Sequence, residues 1–353
     1  MTETESPTPL ETSAGTPAPA IEAHGLTRCF GNHRAVDQVS LAVPTGGVFA
    51  LLGRNGSGKS TMVKMMLGLL EPTQGRATVL GCDSRALTPA VRARIGYLPE
   101  GHPVYGWMRV RDTAKFQKKF FARWNQDLFD QVIEHFRISP KQRARQLSRG
   151  QRGGLTLALV LAQDPQLLIF DDPALGLDPV ARRSLLEAMV YLARRKDRTV
   201  LFSSHYLDDV ERVADRIAVI DRGVLRADCP ANEFGDRIVR VRLVFENAEP
   251  PETVGGFPGL LNSRREGGSL IVAAVVAEPG RLSGEQAAAI ERAKPTTWEL
   301  EGLGLAEAIT SYLDDRGPRP SFFERIGTAE TSGAAVPCTA PSTQEWVATQ
   351  ESK

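Results

Sequence analysis

Four short apolar runs, Val48–Leu52, Gln166–Asp171, Thr199–Ser203 and Arg216–Ile220, are separated by stretches with helical periodicity, and several carry apolar residues at consecutive positions. Strands apolar on both faces and joined by helices predict a parallel sheet covered on both sides, that is, an α/β core. The pattern changes near residue 236. Val239, Val241, Leu243 and Phe245 alternate with Arg240 and Arg242, as in a strand with one face in water. A second run at Leu270–Val276, a helical stretch Gly284–Lys294, a short strand near Thr297–Leu300 and a last helix Leu305–Leu313 follow. Together these predict a separate small α/β domain over 236–315, built β-β-α-β-α. Residues 1–20 (Pro, Thr, Ser, Ala, Glu) and 316–353 are too poor in apolar side chains to offset their ordering entropy, and read as disordered tails. No internal repeat is present, so one such α/β core is expected.

Composition narrows the function classes. The 353 residues carry 43 Lys and Arg against 42 Asp and Glu, a net charge of +1, so no global field draws the chain to nucleic acid or a membrane. The longest apolar stretches, Leu155–Ala162 and Leu270–Ala277, are too short to cross a bilayer, and the first twenty residues lack the basic start and apolar stretch of a secretion signal. A cytoplasmic location is therefore expected. Cys29, Cys82, Cys229 and Cys338 are scattered with no C-x-x-C, which predicts reduced thiols and no zinc site. His24, His33, His102 and His135 show no ligand spacing and read as structural or surface residues.

The strongest chemical signal is Gly53-Arg54-Asn55-Gly56-Ser57-Gly58-Lys59-Ser60-Thr61, which directly follows the apolar run Val48–Leu52 and precedes the apolar run Met62–Leu70. It fits the G-x-x-x-x-G-K-[ST] phosphate loop. In such a loop Gly53, Gly56 and Gly58 let the backbone curl around phosphates while N–H groups and a helix N-terminus point at the anion. Lys59 then reaches the β- and γ-oxygens, and Ser60 is placed to ligate Mg²⁺. The implied ligand is a nucleoside triphosphate. The run Leu167-Leu-Ile-Phe ends in Asp171-Asp172, where a buried strand of a parallel sheet would emerge at its ligand-binding edge. This reads as a Walker B strand, with Asp171 toward Mg²⁺ and Asp172 placed to polarise an attacking water.

A run of further motifs resembles the ABC ATPases. Leu147-Ser148-Arg149-Gly150-Gln151 resembles their LSGGQ signature, Ile95-Gly-Tyr97-Leu-Pro99-Glu100 their Q-loop, Ala174-Leu-Gly176-Leu-Asp178 their D-loop, and Ser203-Ser-His205 their switch-histidine segment. Phe30, within Arg28-Cys-Phe-Gly31, resembles the aromatic that stacks on adenine. The resemblance covers about residues 21–235 and implies a parallel core sheet, an antiparallel β subdomain and a helical signature subdomain at about 103–160. Leu303–Leu313 resembles the end of the accessory domain that follows the ATPase in many ABC exporter subunits. The resemblance implies ATP with Mg²⁺, the metal held by Ser60, Asp171 and Glu100. It further implies a head-to-tail pair of ATPase domains in which Ser148, Gly150, Gln151 and Asp178 of one face the phosphate loop of the other. Asp172, His205, Lys59 and Glu100 would act in hydrolysis. The expected partner is a separate membrane-spanning subunit, engaged from the inner face of the cell membrane.

Departures from the family pattern bear on rate. Asp172 stands where Glu is usual, and one methylene less moves the carboxylate by more than about 1 Å, a misplacement that costs on the order of 10²-fold. Slow hydrolysis is therefore expected. Glu100 replaces Gln, Arg149 replaces the first signature Gly and Ala174 replaces a common Ser, while Ser148 and Gly150 are intact.

Between Arg109 and Arg152 lie twelve cations against four carboxylates, together with Phe116, Phe120, Phe121, Trp124, Phe129 and Phe136 at near-helical spacing. These read as a solvated basic face and as core, or a groove for a partner's helix, rather than as a base-stacking platform. The alternative function is a soluble ABC ATPase acting on ribosomes or nucleic acid. The expected function is the ATP-hydrolysing subunit of an ABC transporter, an exporter by resemblance, with no direct nucleic-acid partner.

Overall fold

The computed structural model describes residues 18–193, 198–246 and 249–314. The expected tails over 1–17 and 316–353 lie outside the described residues. Ala18–Ala20 depart from the expected tail: Ala20 is buried and its N–H donates to the Val43 carbonyl at 2.8 Å.

Three sheets organise the chain. The central one runs β10-β9-β3-β8-β7-β6, with β3 (Gly47–Leu52), β6 (Ile95–Leu98), β7 (Leu167–Phe170), β8 (Thr199–Ser204) and β9 (Arg216–Asp221) parallel. Only β10 (Val224–Pro230) is antiparallel, as the hairpin partner of β9. The expected strands thus form the core sheet, and β7 and β8 are buried at every position because both faces of the sheet are covered. A second, antiparallel sheet joins β1 (Ile21–Phe30), β2 (His33–Val43), β4 (Gln74–Val79) and β5 (Cys82–Asp83) in the order β2-β1-β4-β5. Its apolar face closes one core with Leu51, Phe49 and the helix α1 (Lys59–Met66). Helix α2 (Pro89–Arg92) is a single turn capped by Thr88, whose Oγ1 accepts the Val91 N–H at 3.3 Å.

The helical subdomain holds α3 (Val110–Lys118), α4 (Gln126–His135) and α5 (Arg149–Leu161). Gly154 lets α4 and α5 approach: a Cβ there would lie 2.3 Å from the Phe136 ring. Phe129 is buried with Ile133 and Leu155, but Phe116 and Phe120 are not core. Val110, Thr113 and Ala114 occupy the buried stripe of α3, which turns Phe116 outward. Phe116 and Phe120 meet at 5.2 Å between ring centres, Tyr105 meets Phe116 at 6.2 Å, and Tyr105 meets Trp107 at 6.3 Å. All four are exposed, Trp107 by 71%.

After α6 (Pro179–Ala193), α7 (Leu207–Val213) and α8 (Ala231–Asp236), a third sheet runs β12-β13-β11-β14, from β11 (Ile238–Val244), β12 (Leu260–Glu266), β13 (Ser269–Val275) and β14 (Thr297–Gly302), with α9 (Gly284–Ala293) and α10 (Leu305–Asp314). The β-β-α-β-α expectation missed β12. Its sequence Leu-Leu-Asn-Ser-Arg-Arg-Glu shows no alternation, and its pairing to β13 makes the strand. One face of this sheet has its own core with α9 (Val239, Val241, Leu243, Val272, Ile290). The other face shares a core with the helices that precede it: Ala273, Val275, Ile309 and Tyr312 cluster with Phe234 of α8 and Val210 of α7. Cys82 and Cys229 are free, while Cys29 is disulfide-bonded, against the expectation of reduced thiols. Spacing along the chain carries no information on which thiols meet in space.

Candidate active site

Sheet order sets the site. With β8 between β3 and β7, the carboxyl ends of these three strands lie side by side, delivering residues 53–58, Ser203 to His205, and Asp171–Asp172 to one edge. The phosphate loop turns into α1 at Gly58, which has φ 106°. A Cβ at Gly58 would lie 2.3 Å from the Ala35 carbonyl of β2. Gly58→Ala must therefore absorb about 1–3 kcal/mol of backbone strain or push β2 away. We expect it to weaken ATP binding by roughly tenfold or more, the affinity equivalent of that strain; titration with a fluorescent ATP analogue reads this directly.

The loop folds around Lys59. Its Nζ donates to the carbonyls of Gly53 at 2.8 Å and Arg54 at 3.1 Å, and only 6% of the residue is exposed. Burial pushes the Lys59 ammonium below its usual range, while Asp172, Asp171 and Glu100 pull it back up. Ser60 Oγ donates to Asp171 Oδ1 at 2.9 Å, and Ser203 Oγ donates to the same oxygen at 2.8 Å. Ser203 Oγ also accepts the Asp172 N–H at 2.8 Å. This fully buried hydroxyl thus ties both carboxylate residues together, a role the motif reading did not assign.

Asp172 has φ 45°, a left-handed conformation that Asp tolerates better than most residues. Its Oδ2 lies 2.7 Å from His205 Nδ1, and its buried Oδ1 has no hydrogen-bond partner among the described residues. Burial raises the Asp172 carboxyl above its ordinary value, outweighing His205 and Lys59. The His205 ring lies 4.0 Å from Tyr206, Arg182 stacks on Tyr206 at 3.8 Å, and Arg182 is bound to Asp209 at 2.7 Å, so the imidazole is held from α6 and α7.

A cleft of about 500 Å³ is lined by Phe30, Asn55, Gly56, Gly58, Lys59, Ser60, Thr61, Glu100 and Asp172. Ala35, Leu175 and His33 line it as well, His33 as an exposed residue at the start of β2, in keeping with its reading as a structural or surface residue. His102, likewise read as structural or surface, is buried beside Gly153 of α5. Arg54 departs from its expected place, lining a different cleft beside the third sheet. Ser57 is buried beneath the loop. Ser148, Gly150, Gln151 and Asp178 line neither cleft and form a second cluster. Ser148 caps α5, with reciprocal bonds to Gln151 at 3.2 Å, and a Cβ on Gly150 would lie 3.2 Å from Asp178 Oδ2. Asp178 Oδ1 in turn accepts the Val180 and Ala181 N–H groups at the start of α6.

Residues 36–175 match the family described as ABC transporter. Nod factor export ATP-binding protein I of Mesorhizobium japonicum is 35% identical over 209 residues, 58% of this chain and 61% of that protein. Its namesake from Rhizobium etli is 32% identical over 249 residues, 69% of this chain and 76% of its own length. The chain belongs to the ABC transporter ATP-binding proteins. A solved ATP-binding subunit of an ABC transporter, 25% identical, superposes with a TM-score of 0.55 over 61% of this chain and 91% of its own. This family member is an ATP-binding, ATP-hydrolysing protein, and among its described residues no helix is long and apolar enough to cross a membrane. Its relatives are transport proteins, which leaves the nucleic-acid alternative without support.

Proposed function

We propose that this ABC ATPase drives an exporter by hydrolysing ATP in the cleft between the phosphate loop and Asp172. The observation that carries the reading is the orphaned, buried Oδ1 of Asp172 in the same cleft as Lys59 and Ser60. A buried carboxylate oxygen without a donor is rare in folded proteins, and one facing the γ-phosphate position is an acceptor for the proton of an attacking water. Phe30 offers the adenine a ring, Lys59 and the loop N–H groups bind the phosphates, and His205 aligns Asp172 through Oδ2. Among the described residues no three His, Cys, Asp or Glu side chains form a protein-only metal site. The oxygen set of Ser60, Asp171 and Glu100 fits Mg²⁺ shared with phosphate oxygens, as that hard cation prefers, and it would neutralise charge on the β- and γ-phosphates.

The signature cluster supports pairing. Ser148 and Gly150 are phosphate-type donors at a helix start, yet they lie outside their own chain's nucleotide cleft. A second ATPase domain placed head to tail would bring them to the γ-phosphate, so that closure completes the site. The exposed rings of Tyr105, Trp107, Phe116 and Phe120, just beyond Glu100, supply the apolar patch that a separate membrane-spanning chain would cover. Export, and a position on the cytoplasmic face of the membrane, follow the relatives' role as export proteins.

Purification from detergent-solubilised membranes tests the partner, since recovery with RNA or ribosomes and no membrane chain would overturn the reading. Turnover of Asp172→Glu tests the shortened base. It is expected to exceed the wild type, by up to about 10²-fold if the missing methylene is the whole deficit, and an unchanged rate would remove the geometric explanation of slow hydrolysis.

A further inference from the structure

A cleft of about 1020 Å³ lies where the third sheet meets the outer side of the phosphate loop. Its origin is legible in the strand register. Val239, Val241 and Leu243 of β11 point into the α9 core, so Arg240 and Arg242 take the opposite face. Arg240 pairs with Ala273 and Arg242 with Ile271, and across β13 these stand opposite Asn262 and Arg264. Arginines thus flank an apolar strip of Ile271 and Ala273. Helix α10 covers only one end of this face, against α7, α8 and β12. The rest opens toward Arg54 of the phosphate loop and Arg222 in the β9–β10 turn.

Four guanidinium groups, Arg54, Arg222, Arg240 and Arg264, therefore line one cleft with two carboxylates, Asp208 and Glu307. Among the described residues neither Arg54 nor Arg222 has a side-chain partner. Arg240 divides itself between Glu301 at 3.2 Å and Glu307 at 3.5 Å, and Arg264 meets Glu266 only at 3.7 Å. These carboxylates are more than half exposed, so such pairs hold the arginines weakly. Converging guanidinium forks match phosphate and carboxylate oxygens in bidentate geometry. The volume exceeds what a single oxyanion needs and sits at the upper end of organic-ligand sites, roughly 300–1,000 Å³. Ile271 and Ala273, both largely buried, form the apolar floor between the arginines.

We propose that this cleft binds a soluble phosphorylated organic molecule carrying at least two anionic groups, at a site separate from the nucleotide cleft. Two of its four arginines belong to segments that shape the phosphate loop. The Arg54 carbonyl accepts the Ser57 N–H at 3.1 Å as well as Lys59 Nζ. Arg222 precedes Gly223, whose N–H donates to the Ser57 carbonyl at 2.9 Å and whose carbonyl accepts the Asp37 N–H at 2.8 Å. A ligand gripping both arginines would hold the outer side of the loop.

The test is calorimetric titration of the full chain, saturated with ADP and Mg²⁺, with 2,3-bisphosphoglycerate as the probe. Saturable binding is expected, weakened at least about tenfold in Arg222→Glu and in Arg264→Glu, since loss of one charge-assisted contact costs about 1.5–3 kcal/mol, and unchanged in Arg76→Glu on strand β4, which does not line the cleft. Arg264→Glu should keep wild-type basal ATPase activity, which verifies folding. Three results would overturn the proposal: no binding, equal binding in Arg264→Glu, or binding that vanishes as ADP reaches saturation and so reports the nucleotide cleft. Binding confined to vesicles containing anionic phospholipid would assign the arginines to a membrane surface and also reject a soluble ligand.

Discussion

Lys59→Ala is expected to weaken ATP binding by roughly 10–100-fold and to bring hydrolysis to background. A hydrogen bond to a charged group contributes about 1.5–3 kcal/mol, and Lys59 would make such contacts to phosphate oxygens. The structure adds a second reason. The ammonium is buried among Asp171, Asp172 and Glu100, so its removal leaves three carboxylates facing an incoming polyanion without their cation. Its bonds to the Gly53 and Arg54 carbonyls also brace the loop, and the Ala variant loses that brace. Lys59→Arg should rescue poorly, because a planar fork cannot replace a compact ammonium held between two carbonyls of its own loop. Fluorescent-nucleotide titration beside a thermal melt separates lost binding from lost fold; wild-type affinity in the Ala variant would show that the loop backbone alone binds the phosphates.

The chemistry of the loop and of β7 was legible because it is local. Gly53 to Thr61 is one contiguous motif after a strand, and four consecutive apolar residues, Leu167 to Phe170, identify β7 without any tertiary information. The same holds for β11, whose alternation of Val239, Val241 and Leu243 with Arg240 and Arg242 states which side chains enter the α9 core. What escaped depends on contacts distant in sequence. Strand β12 has no alternation and exists because β13 pairs with it. Ser203 looks like any strand serine until β7 and β8 place it against both Asp171 and Asp172. Phe116 and Phe120 have helical spacing but the wrong phase, since Val110, Thr113 and Ala114 already fill the buried stripe of α3. The third sheet's second face packs onto α7 and α8, which composition near residue 236 could not announce.

Asp172→Asn is expected to cost about 10²–10⁴-fold in turnover, the range for loss of a positioned general base, while nucleotide affinity stays near wild type. The pH dependence gives the sign. Desolvation raises the Asp172 carboxyl above its usual value, and the base form is lost as pH falls through that raised value, so the acid limb of turnover should lie above the ordinary carboxylate range. The amide of the Asp172→Asn variant has nothing to titrate, and its residual rate should lack that limb. Stability moves the other way. A carboxyl raised in the folded state binds protons more tightly there than in the unfolded chain, so its contribution is present at low pH and lost as pH rises through the folded value. At neutral pH the wild type therefore holds a charge that burial disfavours. The neutral amide, which retains one oxygen and two donors, should melt at the same temperature or higher. Paired turnover profiles and melts of the two proteins check both signs. A lower melting temperature for Asp172→Asn would show that the 2.7 Å pairing with His205 outweighs desolvation, and that Asp172 stabilises the strand ends rather than being held there at a cost to stability.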